Sequence, residues 1–403
     1  MVKVNSRKTV LMATQKKLPK VNKNQEVLVK ICKMVSFITA VTISPTHESS
    51  SNQIGSAKFW QILMRIFRST AFVISFYYVH QLVSFYVALG FYSTDICGLI
   101  LQVVLNAKRR QISNTLNMLS RVLHVSNPRC SIVKKYVTRS LILFLISVSV
   151  CIPSLIYFSF VIEWQTYKKS VQFPFHVPPG GLHDACLGFV LVSLIYSGAS
   201  GGFTCALVSM LCTIIYLILS MIIASYRTSL KHKLKTQDLS AFIFNETKIL
   251  KFVVTLVESV DRAWNLCAFW QYCELTSLIF IIVTIIISKS FSHSGLVNTF
   301  MVFNFLNVLY LFYSVTMNGS SVKREGEKLK KIGLECSEGV SRHSFLMSSE
   351  KERSFPSFSL LLENIRDNPL KVTAGDMFVI EKTIFLAMMN ATVTYSIIMY
   401  QIA

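Results

Sequence analysis

Residues 185–224 read ACLGFVLVSLIYSGASGGFTCALVSMLCTIIYLILSMIIA, about 40 residues without an Asp, Glu, Lys or Arg. A helix needs about 20 apolar residues to cross the ~30 Å hydrocarbon core of a bilayer, at ~1.5 Å rise each. The stretch is twice that length, so it is either a hairpin folded at Gly198-Ala199-Ser200-Gly201-Gly202 or one helix that overshoots the membrane. The choice fixes the side of every segment that follows.

The rest of the chain is written in the same alphabet. Apolar residues make up 52% and charged residues 15%, with a mean hydropathy of +0.50. A soluble chain has roughly a quarter of its residues charged. Further apolar blocks run over residues 70–89, 90–107, 140–162, 263–287, 296–317 and 377–402, the first two forming a hairpin with its turn near Gly90. With the long block counted once, this predicts an all-α polytopic membrane protein with seven transmembrane helices, embedded in membrane lipid.

Charge decides the orientation. The net charge is +21, but Lys and Arg crowd between blocks, which is the mark of membrane orientation and not of a nucleic-acid groove. With the amino terminus inside, residues 1–68, 108–139, 225–262 and 318–382 carry 38 of the 41 basic residues, leaving only Lys168, Lys169 and Lys289 outside. Folding the long block into a hairpin would move the last two groups outside. A single long fourth helix is therefore expected, with the carboxyl terminus outside. The resulting layout is an inner region over 1–68, six spans over 69–317, an inner loop with an anchor helix over 318–376, and a seventh span over 377–403.

The inner segments carry stripes of their own. Ile112, Leu116, Leu119 and Leu123 recur at helical spacing, as do Leu250, Val254, Val257 and Val260, and Phe358, Leu361, Leu362 and Ile365. These three apolar stripes and the overhang of the fourth helix make four to bury, which predicts a packed domain below the membrane rather than helices lying on lipid. Residues 318–356, rich in Ser, Lys and Glu, read as disordered. The sequons at Asn245 and Asn318 fall inside, Asn390 falls within a span, and the amino terminus has no signal-peptide core.

Chemistry-bearing motifs are few. There is no phosphate-binding glycine loop, HExxH or GxSxG, and no CxxC among ten cysteines, so no enzyme, metal site or cofactor is expected. His183-Asp184 reads as a helix start capped by Asp184. Glu274, twelve residues into the fifth span, must face a partner, a ligand or water, whereas Asp95 sits near the outer surface. Gly198 and Gly202 form a GxxxG pair suited to close packing or a kink. Tyr157, Trp164, Tyr196, Thr284, Asn304 and Asn307 suit an outer-half pocket of aromatic rings with a few polar groups, the lining a small organic ligand takes; the two asparagines equally suit bonding between helices.

The last span reads Asn390-Ala391-Thr392-Val393-Thr394-Tyr395-Ser396-Ile397-Ile398-Met399-Tyr400-Gln401-Ile402. Thr394, Ile398, Gln401 and Ile402 recur at spacings of three and four, and Asn390 extends that face. A polar stripe on an apolar helix lines water or another helix. Around a symmetry axis it becomes a pore wall, and an apolar ring gates such a pore by dewetting.

Thr394-Tyr395, five mostly apolar residues and Gln401 resemble the end of the last span in the insect gustatory receptors, where Phe usually follows the Gln. Pro369-Leu370-Lys371-Val372-Thr373-Ala374-Gly375 is similar to the family's approach to that span. The resemblance implies a tetrameric, tastant-gated cation channel, homomeric or heteromeric, in the plasma membrane of sensory dendrites and related to the insect odorant receptors. It implies that the seventh helices surround the pore with Gln401 and Ile402 at the constriction, that the inner helices anchor the subunits, and that each subunit has an outer-half pocket. Ile402 departs from the usual Phe. Ser396 stands where sugar-receptor members carry Glu, which points to bitter or other non-sugar tastants. An odorant receptor subunit shares this architecture. A G-protein-coupled receptor would place the amino terminus outside and lacks support from any Asp-Arg-Tyr or Asn-Pro-x-x-Tyr; a transporter, with Glu274 as coupling site, would show internal repeats.

Overall fold

A computed structural model describes residues 54–82, 85–126, 138, 142, 145, 171–173, 180–236, 239–287, 295–343, 360–361, 363–367 and 370–402. Among these the helices are α1 (Ile54–Leu82), α2 (Phe85–Ser126), α3 (Gly181–Thr236), α4 (Leu239–Ile287), α5 (Gly295–His343) and α6 (Lys382–Ile402), joined before α6 by a small antiparallel pair, β1 (Thr373–Ala374) and β2 (Phe378–Val379). The expected third span, 140–162, lies outside the described residues apart from two positions. The fold is all-α and polytopic: α2 to α6 each contain a stretch long and apolar enough to cross a membrane.

The long apolar block is one helix. At 56 residues α3 extends about 84 Å, nearly three times the hydrocarbon thickness. From Cys205 to Ile223 almost every side chain is buried, because α3 is wrapped by its neighbours on all sides. α2 and α4 run antiparallel beside each other. Gly90 meets Ile281, Ser93 Oγ lies 2.9 Å from Ser277 Oγ, Lys108 Nζ donates to the Arg262 carbonyl at 3.2 Å, and the Thr115 hydroxyl reaches the Ser259 carbonyl at 3.4 Å. The expected inner stripes are buried in this continuation: Ile112, Leu116 and Leu119 on α2, Leu250, Val257 and Val260 on α4, and Leu361 and Ile365 after α5.

Five expectations change. α1 ends at Leu82 and α2 is already helical from Phe85, so the first hairpin does not turn at Gly90. Gly90 is helical, and its missing side chain lets Ile281 close in, since a methyl there would lie 3.0 Å from two Ile281 carbons. α1 begins well before Thr70, so Arg68 belongs to the helix. α3 starts at Gly181, which puts Asp184 in its first turn instead of at the cap, still favourable beside the positive helix end. The last helix starts at Lys382, with β1 and β2 occupying the approach to it.

The fifth change is the largest. Residues 318–343 are not disordered but continue α5 without a break. Polar composition hides a helix whose inner side carries Val322, Leu329 and Ile332, all buried, and whose charges pair along the helix, as in Lys323–Glu327 and Lys331–Glu335. The same face carries Gly319, Gly326 and Gly333, seven residues apart. A methyl on Gly319 would come 2.5 Å from Ile380, one on Gly326 2.8 Å from Leu370, and one on Gly333 3.1 Å from Ile365. The glycines make a groove in which the chain leading to α6 lies.

Candidate functional site

α6 has two unlike sides. Met388, Thr392 and Met399 are buried against the subunit, with the Thr276 hydroxyl of α4 reaching Met388 Sδ at 3.6 Å. The opposite side carries Asn390, Thr394, Ile398 and Gln401, all exposed, flanked by Val393, Ile397 and Tyr400. Thr394 satisfies its own hydroxyl on the Asn390 carbonyl at 3.0 Å. The amides of Asn390 and Gln401 are uncovered by the chain itself. Such groups need water or a neighbouring protein, since lipid offers no partner. Ile402 is the last residue of the helix.

Tyr395 turns away from that stripe. Its ring packs on Phe280 of α4 with centroids 4.7 Å apart, and its hydroxyl shares a 2.8 Å hydrogen bond with Thr284. The structure thus joins one residue expected in a ligand pocket to one expected in the pore. Tyr196, on α3, meets Phe67 of α1 edge-on at 4.7 Å. Asn304 and Asn307, on α5, are half-buried and both already engaged. Tyr157 and Trp164 lie outside the described residues.

A second polar centre sits on the far side of α4. Glu274 is fully buried, and its carboxylate oxygens accept no hydrogen bond among the described residues; the Cys205 thiol lies alongside without completing one. The Arg68 guanidinium lies close by. A methyl on Gly98 of α2 would lie 3.1 Å from Glu274 Oε1 and 3.7 Å from Arg68 Nη2, so the carboxyl group and the guanidinium both flank that glycine. Gly201 of α3 closes the other side, 3.7 Å from the carboxylate by the same measure, whereas Gly202 meets nothing within 4 Å. The close approach expected of the Gly198–Gly202 pair is thus absent at Gly202 and present at Gly201, and the surroundings of Gly198 lie outside the described residues. Arg68 donates to the Thr204 hydroxyl at 3.3 Å, and Asp95 accepts from Ser75 and Ser197, both at 3.1 Å. Asp95 is accordingly a member of a four-helix polar knot. Arg68 is the member that the sequence does not announce. It follows Arg65-Ile66-Phe67 directly into the apolar run, where a basic residue reads as the end of the inner region.

No family model and no curated protein matches the sequence. The fold does have solved counterparts. The chain is similar to the insect olfactory receptor OR5 from Machilis hrabei in complex with eugenol, with a TM-score of 0.64 at 13% identity over 94% of this chain and 99% of that one. It is similar to a second structure of the same receptor, with a TM-score of 0.65 at 14% identity over 93% of this chain and 98% of that one.

Proposed function

We propose that this chain is a pore-forming subunit of a ligand-gated cation channel of the insect chemoreceptor kind, a multi-pass protein of the plasma membrane. The observation that carries this is the polar stripe of α6, uncovered by its own subunit at the end of a fold shared with an olfactory receptor along nearly the whole of both chains. Four copies with α6 toward a common axis, the assembly that the gustatory-receptor resemblance implies, give the amides of Asn390 and Gln401 the water they require. The same arrangement places Ile398 and Ile402 where an apolar ring gates by dewetting. Ligand enters on the other side of the subunit, and Thr284–Tyr395 links that side to the pore helix. Small organic compounds fit the aromatic rings of Phe67, Tyr196, Phe280 and Tyr395. Ser396, in place of the Glu of sugar-receptor members, favours a bitter or other non-sugar tastant.

A role in smell is the second reading. It is favoured by the solved counterparts, both of an olfactory receptor, one with eugenol.

Whole-cell recording from cells expressing the chain separates these. A panel of non-sugar tastants, sugars and volatile phenols including eugenol is applied at fixed voltage. Cation current evoked by non-sugar tastants, with permeability ratios altered by Gln401→Ala, is the expected result. Current evoked by volatiles alone would move the chain to the odorant reading. No current from surface-expressed protein, alone or with co-expressed receptor subunits, or an amino-terminal tag accessible on intact cells, would overturn the channel.

A further inference from the structure

Residues 370–381, the approach to α6, are pinned on two sides. β1 and β2 pair Thr373 with Val379 and Ala374 with Phe378. Between them the Met377 N–H donates to the Ala374 carbonyl at 3.1 Å, and both central residues of that turn, Gly375 and Asp376, have positive φ, +61° and +58°. That is the pattern of a type I′ turn, which Gly and Asp tolerate. The turn is stiff, and it is bolted to α4. Asp261 accepts the Thr373 N–H at 2.5 Å and the Thr373 hydroxyl at 3.0 Å. The Asn265 carbonyl accepts the Gly375 N–H at 2.8 Å, and the Asn265 amide donates to Asp376 Oδ1 at 2.9 Å. Phe269 covers Gly375 so closely that a methyl there would sit 3.1 Å from the ring system.

The other side of the segment lies in the glycine groove of α5. Leu370 fills the notch at Gly326 and Ile380 the notch at Gly319, while Glu381 is clamped by Lys323 at 2.6 Å. α6 begins one residue later. A helix turns about 100° per residue, so whatever fixes the chain at Ile380 and Glu381 fixes which side of α6 faces the subunit. Shifting that register by one residue would exchange Thr394 for Tyr395 on the uncovered side.

We propose that Asp261, through Thr373, is a positioning residue that sets the rotation of the last helix and so decides which side chains form the pore wall. This rests on the channel reading, yet its consequence can be read without any current. Asp261 lies on α4, the same helix that carries Glu274 and Thr284, so movement of α4 passes to α6 through a rigid hairpin rather than through a flexible loop.

The test uses the full chain on the cell surface with one reporter cysteine at a time on α6. Thr394→Cys reports the uncovered side and Thr392→Cys the covered side. Both are exposed to a membrane-impermeant trimethylammonium methanethiosulfonate, and the labelling of reporter-free chain is subtracted. In the parent chain Thr394→Cys labels faster. Asp261→Ala and Thr373→Val are expected to reduce the ratio of the two rates by about tenfold, the scale of one hydrogen bond to a charged group, and to change the ligand-free conductance. Thr373→Ser, which keeps the hydroxyl, should restore both. If Asp261→Ala fails to reach the surface, Thr373→Val stands alone, because it keeps the backbone bond and the side-chain shape. An unchanged labelling ratio in surface-expressed Thr373→Val overturns the proposal even where current is normal. A shifted ratio in a chain that never conducts leaves the clamp standing and removes the channel.

Discussion

Two carboxylates on α4, Asp261 and Glu274, are about 20 Å apart along the helix axis and are held in opposite ways. Asp261 receives a backbone N–H and a hydroxyl from a single residue, Thr373, in a stiff turn. Glu274 receives no hydrogen bond among the described residues and has the Arg68 guanidinium near it beside Gly98. The first arrangement is directional and survives only in one geometry. The second is a through-space contact without fixed geometry, tolerant of small displacements. Position explains the contrast. Asp261 meets a segment of irregular backbone with spare donors, whereas Glu274 meets only helices, whose backbone donors are already used.

Removing Arg68 should produce the largest effect of any single change. Arg68→Met removes the guanidinium beside the buried Glu274 and the half-buried Asp95, a loss of up to about 3 kcal/mol. Arg68→Met with Glu274→Met replaces both polar groups by apolar ones of similar size and should recover most of that loss. The thermal midpoint and surface yield of detergent-solubilised protein read both. Equal damage in the single and double variants would mean that Glu274 is not held by Arg68, and the contrast with Asp261 would collapse.

The groove side is governed by sterics rather than charge. Gly326→Ala forces a methyl to within 2.8 Å of Leu370 Cβ and 2.9 Å of its carbonyl oxygen, and backbone cannot yield as a side-chain tip does. Overpacking of this kind costs about 1–3 kcal/mol, partly offset by the better helix propensity of Ala. Gly202→Ala meets nothing within 4 Å and should raise stability by about 0.5–1 kcal/mol. Thermal unfolding of the pair separates them by sign. If both stabilise, the segment before α6 does not lie in the groove.

The legible parts of this molecule are those where one physical signal acts alone. The long α3 follows from apolar length and from the sidedness of Lys and Arg, and the inner stripes from their spacing. Arg68 is hidden because a search for apolar runs stops at a charge; its partner, Glu274, lies some two hundred residues downstream, and sequence order gives no warning that they meet. Residues 318–343 are hidden for a different reason. Their outward residues are charged enough to dominate composition and drown the weaker signals: Gly319, Gly326 and Gly333 at heptad spacing, and Val322 and Leu329 between them. The turn at Gly375-Asp376 is short enough for strand periodicity never to develop. Thr284 and Tyr395 each stand out in the sequence, but on separate grounds, because spacing within a helix says nothing about which helix stands opposite.

Their hydrogen bond is an intermediate case, directional like that of Asp261 and within the membrane like the knot of Glu274. Interhelical bonds in lipid are worth about 0.6 kcal/mol on average, with a maximum near 1.7. Tyr395→Phe and Thr284→Val should each cost about that much, and the double variant no more than either alone, because one bond is lost only once. Additive losses in detergent unfolding would indicate two independent contacts. With a ligand in hand, a change in half-activating concentration at unchanged stability would assign the bond to gating.

The smallest effect belongs to the charges that make residues 318–343 look disordered. Lys331 and Glu335 are exposed and 3.9 Å apart on the outward face of α5, a separation at which such a pair contributes no more than about 0.5 kcal/mol. Lys331→Ala should therefore shift the unfolding midpoint barely at all at low salt, and not measurably at about 0.5 M, where exposed charges are screened. If the substitution instead melts the end of α5, read as lost protection from amide exchange over the helix's last turns, then surface pairing rather than the glycine groove holds that helix together. The seat of the last helix would then depend on ionic strength. The groove predicts a dependence no larger than the partly exposed Lys323–Glu381 pair supplies, because Leu370 and Ile380 are held by shape.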